Sequence, residues 1–163
     1  MKTLTQEMLK ELLEYDPNTG IFRWKNRRGS AKKGAEAGNY CPDGYIEIRV
    51  YKKLHKAHRL AWLYMNGEHP SMDIDHIDGN RSNNSIFNLR HVSRLDNLHN
   101  QRLPYSRSKT GLIGSWKHSQ TGKYTSQIRS DGKKICLGLF DTKEEAHKAY
   151  VEAKRKLHAT CTI

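Results

Sequence analysis

The segment DIDHIDGNRSNNSIFNL, residues 73–89, concentrates side chains that can carry hydrolytic chemistry. It holds three Asp, one His and four Asn. Histidine is the usual general base near neutral pH, and carboxylate and amide oxygens are the ligands that hard cations such as Mg²⁺ prefer. A segment that supplies both can activate a water molecule and stabilise a leaving oxygen, which phosphodiester hydrolysis requires.

Two other interpretations of residues 73–89 compete with a hydrolytic site. An EF-hand calcium loop is excluded, because Gly79 at its central position would put Ile74 and His76 where oxygen ligands are needed. A structural loop closed by Asn and Asp turns explains the residues around Gly79, but it does not explain the adjacent Asp75 and His76. Neighbours on a strand point to opposite faces, so a hydrolytic site requires the strand to bend or end there.

The charge of the chain indicates a polyanionic partner. Its 163 residues carry 29 Lys and Arg against 17 Asp and Glu, a net charge of +12. Residues 71–102 contain equal numbers of basic and acidic side chains, whereas both flanks are basic. We therefore expect the flanks to bind nucleic-acid phosphates and the neutral region to hold a cation. A merely soluble basic protein is the alternative.

Composition argues against a membrane protein and against a cysteine-based zinc site. Hydrophobic residues make up 36% of the chain, and no apolar run is long enough to span a bilayer. Cys41, Cys136 and Cys161 form no CxxC pair, so no structural zinc is expected. A sparse, odd cysteine count fits a reducing compartment, and we expect a soluble cytoplasmic protein without a signal peptide.

Turn residues and periodicity predict how the first part of the chain folds. A short helix is followed by the turn "DPNTG", the strand "IFRWK" and a basic, Gly-rich segment at residues 26–38. Four cations of that segment are predicted to lie along a phosphate backbone: Arg27, Arg28, Lys32 and Lys33. A hairpin comes next, and then a helix that ends at Gly67 and contains His58, which is interpreted as structural.

The rest of the chain divides at a predicted linker. Residues 71–102 are expected to form a strand, a long polar loop, a strand and a helix that begins near Arg94. Asn97 would lie in the first turn of that helix, where its amide could offer the cation a second oxygen. We predict an α+β chain with a first domain at 1–102, a linker at 103–111 and a second domain at 112–163. The second domain is expected to be a three-stranded antiparallel sheet covered by one helix.

The pattern "AHRLAW…DHIDGNRSNNSIFNLRHVS…DN" resembles the HNH endonucleases, specifically their phage-type homing and intron-associated branch. The resemblance covers roughly residues 14 to 102, and "DHIDGN…NN…NLR" is its most specific part. It implies that the first domain has a ββα-metal nuclease fold.

The resemblance also implies roles for four side chains. Asp75 and Asn97 would be metal ligands, and His76 would be the general base on the hydrolytic water. Asn88 would tie the loop and orient the histidine. The remaining amides of the segment are interpreted as turn formers: Asn80, Asn83 and Asn84. Because only one histidine is placed in the site, Mg²⁺ or Mn²⁺ is expected rather than Zn²⁺.

Residues 111–158 resemble the AP2 DNA-binding domain through "GKY", "IR", "LG-F" and an Ala-rich helix. In that family the sheet face opposite the helix enters the major groove. Strand alternation predicts the side chains on that face: Trp116, His118, Lys123, Thr125, Gln127, Arg129 and Lys134. Such a polar and basic set suits base and phosphate contacts, although a solvated charged face without a ligand remains the alternative.

Together these features predict a site-specific endonuclease that acts on double-stranded DNA. The resemblance implies 5′-phosphate and 3′-hydroxyl ends. A single site in a small chain predicts that a monomer nicks one strand, and a dimer would allow a double-strand break. We expect a phage or mobile intron to encode the protein and a bacterial host to contain it. The main alternative is a catalytically inactive regulator that binds DNA through the AP2-like sheet, and a ribonuclease is a weaker one.

Overall fold

The chain is a mixed α+β protein in a computed structural model that describes residues 3–105, 107–130 and 132–158. Cys161 lies outside these residues. The chain folds into two compact units, Met1–Ser93 and Arg94–Ile163. The sequence predicted that the first domain ends at residue 102, whereas the helix that follows Ser93 is grouped here with the second unit. The predicted domain limits stay a prediction.

The first unit is built from short antiparallel strands and two helices. Its elements are α1 (Gln6–Leu12), β1 (Leu13–Tyr15), β2 (Phe22–Trp24), β3 (Asn39–Tyr40), β4 (Ile46–Val50), β5 (Lys53–Lys56), α2 (Ala57–Asn66), β6 (Asp73–His76) and β7 (Leu89–Val92). β1 pairs with β2, β4 lies between β3 and β5, and β6 pairs with β7. Helix α1 begins where the Thr5 side chain accepts a hydrogen bond from the Met8 N–H. Helix α2 ends at Gly67, whose φ of 84° is left-handed, as the sequence predicted.

The core of the first unit lies between its two helices and its strands. Leu9, Val50, Leu60 and Leu63 are at most 1% exposed, and burial of each such side chain contributes about 1.5–3 kcal/mol. Ile74 of β6 and Leu89 of β7 belong to the same cluster. The hairpin that carries the predicted site is therefore anchored in this core.

The basic segment 26–38 folds back along β2. The Trp24 N–H donates to the Ala35 carbonyl at 2.9 Å, and the Ala37 N–H donates to the Phe22 carbonyl at 2.8 Å. The Arg28 guanidinium lies 4.8 Å from the centre of the Trp24 ring. The segment is thus held by backbone hydrogen bonds, and three of its predicted DNA contacts are exposed: Arg27, Lys32 and Lys33.

The second unit contains an antiparallel sheet and two helices. Its elements are α3 (Arg94–His99), β8 (Trp116–Lys117), β9 (Tyr124–Ser130), β10 (Lys133–Phe140) and α4 (Lys143–Leu157), with sheet order β10-β9-β8. Thr142 and Glu145 cap α4 reciprocally, and this helix packs on β9 and β10. The His99 ring, on α3, stacks on the His158 ring, and the two ring centres are 3.8 Å apart.

Within the described residues, no helix is both long and apolar enough to cross a membrane.

Candidate active site

Strand β6 carries two of the predicted site residues on opposite faces. Ile74 and His76 are buried, whereas Asp73 and Asp75 are half-buried. In the register with β7, Asp75 pairs with Arg90, and His76 pairs with Leu89. β6 ends at His76, which meets the requirement that the strand end there if both side chains are to serve one phosphate.

Asn88 closes the loop between β6 and β7. Its Oδ1 accepts a hydrogen bond from the Asp78 N–H at 3.0 Å, and its Nδ2 donates to Asp78 Oδ1 and to the Asn83 carbonyl, both at 2.9 Å. Burial alone would raise the pKa of Asp78, but hydrogen bonds from Asn83, the Asn80 N–H and Asn88 lower it. Hydrogen bonds of the Asn and Asp side chains therefore stabilise the conformation of the loop.

Asp75, the predicted metal ligand, forms an ion pair across the hairpin. Arg90 donates from Nε at 2.9 Å and from Nη2 at 2.7 Å, in both cases to Asp75 Oδ2. The side chain of Asp75 is 12% exposed and that of Arg90 is 23% exposed. The guanidinium thus approaches one oxygen of the carboxylate that is predicted to bind a cation.

His76, the predicted general base, lies in a pocket of rings and amides. Its Nε2 is 3.2 Å from Asn84 Oδ1, and its ring centre is 5.1 Å from that of His58 and 5.9 Å from that of Tyr45. Burial lowers the pKa of His76, and it outweighs the opposing effects of the Asn84 hydrogen bond and of Asp78. The imidazole is therefore neutral near pH 7, as a base must be.

The two ring nitrogens of His76 differ in their surroundings. Nε2 faces Asn84, whereas Nδ1 makes no hydrogen bond among the described residues and is not one of their fully buried, unpartnered atoms. Nδ1 is therefore the ring nitrogen that is left to accept a proton. His58 contrasts with it, because His58 Nδ1 is fully buried and has no hydrogen-bond partner among the described residues. The two histidines therefore differ in the surroundings of Nδ1.

His58 is held neutral inside the first unit. Burial, together with the nearby His76 and Arg59, lowers the pKa of His58 to about 3. Its ring centre lies 5.1 Å from that of Tyr45. This environment agrees with a structural histidine that packs against the site.

Replacement of His58 by phenylalanine is expected to make the stability of the protein less sensitive to acid. The unfolded chain binds a proton near the ordinary pKa of 6.5, whereas folded His58 resists protonation down to about pH 3. Its contribution is therefore fully present above pH 6.5 and is lost as pH falls. The loss by pH 5 is about 2 kcal/mol. Denaturant unfolding at pH 7 and pH 5 measures it, and equal losses in both proteins would contradict the expectation.

A cationic cluster lies beside the ring of Tyr45. Lys56 Nζ is 4.6 Å and the Arg81 guanidinium 5.0 Å from the centre of that ring. Lys56 also forms ion pairs with Asp43 at 2.9 Å and with Glu47 at 3.2 Å. Because Tyr45 also contacts His76, exposed Arg81 is a cation close to the predicted base.

The second predicted metal ligand lies in the other unit. Asn97 is part of α3, so its approach to Asp75 stays a prediction. The described residues contain no group of three or more His, Cys, Asp or Glu side chains that could hold a metal ion. The predicted pair instead combines one carboxylate with one amide, whose oxygens suit a hard cation that keeps several of its waters.

The sheet of the second unit has the alternation expected from its sequence. Ser126 and Ile128 of β9 are buried, whereas the residues between and beside them are more exposed. The register pairs Thr125 with Trp116 on β8 and Arg129 with Lys134 on β10. Most of the predicted DNA-binding side chains therefore share one face: Trp116, Thr125, Gln127, Arg129 and Lys134.

Two members of the predicted DNA-binding set lie just outside the strands and have partners of their own. His118 Nδ1 shares a hydrogen bond with Thr121 Oγ1 at 3.1 Å. Lys123 Nζ forms an ion pair with Asp141 at 2.8 Å. A phosphate would have to compete with Asp141 for Lys123, so Lys123 is the weaker candidate for a backbone contact.

Several residues around His76 were not identified from the sequence. Asn84, interpreted there as a turn former, makes a hydrogen bond to His76. Asn88 ties the loop, and its predicted effect on the orientation of His76 stays a prediction. Tyr45, just before β4, and Arg90, on β7, also contact the site. Arg90 lies opposite Asp75 in the register of the hairpin, and the sequence leaves that register open because the loop is long. No signal in the sequence identified Asn84 among the four Asn of the loop.

Comparison with known proteins gives matches over the same region. Residues 55–99 match a protein family whose description is HNH endonuclease. The chain is 36% identical over 104 residues to DNA endonuclease I-HmuI of Bacillus phage SP01, and 33% identical over 115 residues to Protein 3.8 of Escherichia phage T7. A solved structure of I-HmuI matches at 27% identity with a TM-score of 0.46. It is described as showing DNA binding and cleavage by this HNH homing endonuclease.

The extent of these matches differs between relatives. The match to I-HmuI covers 60% of this chain and 56% of that protein, so the chain spans little more than half of its length. The match to Protein 3.8 covers 68% of this chain and 93% of that protein. The solved structure matches over 62% of this chain and 57% of the other. The family match ends at residue 99, so the AP2-like nature of residues 111–158 remains a prediction.

Proposed function

The chain belongs to the HNH endonuclease family, and we propose that it is an endonuclease that hydrolyses a phosphodiester bond of double-stranded DNA. We further propose that it nicks one strand at a specific site and leaves 5′-phosphate and 3′-hydroxyl ends. It acts as a monomer in the cytoplasm of a bacterial host, and the phage origin of both relatives supports this setting.

The environment of His76 carries this proposal. A buried imidazole that is neutral near pH 7, and whose Nδ1 makes no hydrogen bond among the described residues, can accept a proton from water. Asp75, the preceding residue, brings a carboxylate to the same end of β6. A base that acts on water beside a carboxylate that can bind a cation is the combination that phosphodiester hydrolysis needs.

Three residues of the hairpin have parts in the proposed reaction. His76 Nδ1 takes the proton of the attacking water. Asn88 holds the ends of the loop together through Asp78, so that β6 ends at a fixed position. Arg81 is exposed beside Tyr45, where its guanidinium can bind a phosphate of the strand that is cut.

Asp75 and Asn97 would hold the divalent cation, which is Mg²⁺ with Mn²⁺ as a substitute. Their oxygens fit such an ion, and the Asp75 carboxylate also accepts hydrogen bonds from the Arg90 guanidinium at Oδ2. When bound, the cation would stabilise the charge that develops on the scissile phosphate and the leaving oxygen. The dependence of HNH endonucleases on divalent metals supports this part of the proposal.

The second unit would supply sequence recognition through its exposed sheet face. Arg129 and Lys134 are cross-strand neighbours there, and Gln127 and Trp116 flank them. Side chains of these types suit contacts to base edges and phosphates in a groove. The exposed cations of segment 26–38 would bind backbone phosphates in a manner that depends on salt.

Replacement of Arg129 by alanine is expected to weaken DNA binding by about 1–3 kcal/mol, or to relax sequence preference. Arg129 is exposed on the sheet face, whereas Lys148 is exposed on α4, which covers the other face. Lys148→Ala removes one positive charge as well and serves as the matched control. Footprints and affinities measured at one salt concentration test the expectation. Equal losses in the two variants would show that only net charge matters.

Supercoiled plasmid carrying the target region tests the proposed activity. Incubation with Mg²⁺ is expected to yield nicked circles, and EDTA is expected to prevent the conversion. Intact plasmid together with a normal footprint would instead support the inactive regulator. An RNA substrate that competes equally with duplex DNA would support a ribonuclease.

A further inference from the structure

Asn84 is an unusually buried amide for a residue in a polar loop. It is 1% exposed, although Asn is mostly found at protein surfaces. Its Nδ2 donates to the Ser82 carbonyl at 3.1 Å, and its Oδ1 lies 3.2 Å from His76 Nε2. Both ends of the side-chain amide are therefore engaged, one with the loop backbone and the other with the predicted base.

The orientation of this amide determines which nitrogen of His76 carries the proton. Because Nδ2 faces a carbonyl oxygen, the atom that faces His76 is the amide oxygen, which can only accept. His76 Nε2 must then be the N–H donor, and Nδ1 keeps its lone pair. The reversed amide would put two acceptors, Asn84 Oδ1 and the Ser82 carbonyl, against each other. One arrangement of protons therefore satisfies the whole network.

We propose that Asn84 is a positioning residue that holds neutral His76 in the Nε2–H tautomer and so makes Nδ1 the atom that receives a proton from water. Only the catalytic consequence of this inference rests on the proposed function. The tautomer itself is a property of the protein without DNA or metal.

The backbone of Asn84 is fixed by the turn between β1 and β2. The Tyr15 hydroxyl donates to the Asn84 carbonyl at 2.7 Å, and Ser85 Oγ donates to the Pro17 carbonyl at 3.0 Å. A Cβ on Gly20, whose φ is 74°, would lie 2.2 Å from the Asn84 carbonyl carbon. This close approach requires glycine, and it helps to fix the backbone from which the amide reaches His76.

The neighbouring amides of the loop do not share this role. Asn88 binds Asp78 and the Asn83 carbonyl. Asn83 Nδ2 donates to Asp78 Oδ2 at 2.7 Å. Asn83 is therefore a matched control, because it is the adjacent side chain, has the same chemistry and stabilises the same loop without contacting His76.

Nuclear magnetic resonance of the full-length protein labelled with ¹⁵N in histidine tests the tautomer directly. Long-range ¹H–¹⁵N correlations near neutral pH are expected to show a protonated Nε2 and a bare Nδ1 for His76. The same pattern is expected in Asn83→Ala, whereas Asn84→Ala is expected to give a mixture of tautomers. A wild-type protein with the proton on Nδ1 would overturn the inference, and this measurement needs no variant to fold.

Cleavage assays separate the inference from the proposed function. Asn84→Ala is expected to lower kcat by about 10-fold to 100-fold, the range for hydrogen-bond partners behind a reacting group, with KM nearly unchanged. Asn84→Asp keeps an acceptor for Nε2–H and is expected to keep that nitrogen protonated. The rate at neutral pH is not expected to recover, because the second carboxylate oxygen faces the Ser82 carbonyl and the buried charge favours the imidazolium. If Asn84→Ala retains the wild-type tautomer and rate, the inference is wrong while the nuclease stands. If the wild-type protein has the expected tautomer but cuts no DNA, the proposed function fails and the assignment of the tautomer stands.

Discussion

Replacement of His76 by alanine is expected to slow DNA cleavage by about 10²-fold to 10⁴-fold, which is the contribution of a positioned general base. Binding of DNA is expected to stay close to that of the wild type, because His76 is 4% exposed and offers DNA little surface. Single-turnover cleavage with Mg²⁺ measures the first quantity. Fluorescence anisotropy without metal measures the second.

Two further variants make the His76 experiment specific. His76→Gln retains an N–H group that can donate to Asn84 and fills more of the space beside Tyr45 and His58, but it has no basic nitrogen. It is expected to lose as much activity as the alanine variant. His55→Ala removes a histidine from β5 and is expected to cut DNA at the wild-type rate. A loss of DNA affinity that parallels the loss of rate would show that the imidazole is structural.

Replacement of Asp75 by asparagine is expected to reduce cleavage by about 10²-fold or more, since a metal ligand contributes several kcal/mol to transition-state stabilisation. It is also expected to lower the free energy of unfolding by about 1–3 kcal/mol. The reason is that the half-buried Arg90 guanidinium loses this carboxylate. Cleavage at increasing Mn²⁺ and Mg²⁺ concentrations and denaturant unfolding measure the two effects.

A second substitution separates the two roles of Asp75. In Asp75→Asn with Arg90→Gln, the stability is expected to recover, because neither charge is left at the pair, while the cleavage defect remains. Asp73→Asn, on the same face of β6, removes one negative charge and is the matched control. If cleavage recovered together with stability, Asp75 would serve the fold and not the reaction.

The sequence predicted the elements that surround the site, since these depend on local signals. The S-x-x-D pattern predicted a helix that begins near Arg94, and α3 begins there. Alternation predicted that Thr125, Gln127 and Arg129 face away from Ser126 and Ile128, which is the arrangement in β9. Gly67 marked the end of α2 because a left-handed residue is needed there.

The contacts of His76 depend on parts of the chain that are distant in sequence, and the sequence did not reveal them. Asn84 is held by Tyr15 from β1, and no local pattern links residues so far apart. The loop between β6 and β7 is long, so its sequence leaves open the register that pairs Asp75 with Arg90. The composition of segment 26–38 predicts a basic arm. Its pairing with β2 requires backbone hydrogen bonds that its composition does not encode.

The close approach of Gly20 to Asn84 limits which fragments of the chain can be expressed on their own. The family match begins at residue 55, yet the Tyr15 hydroxyl and the Pro17 carbonyl that secure residues 84–86 come from the first turn of the chain. A fragment of residues 55–99 would lose both hydrogen bonds, and the loop that contacts His76 would no longer be held in place. A transplantable version of this hairpin must therefore include β1, the turn and β2.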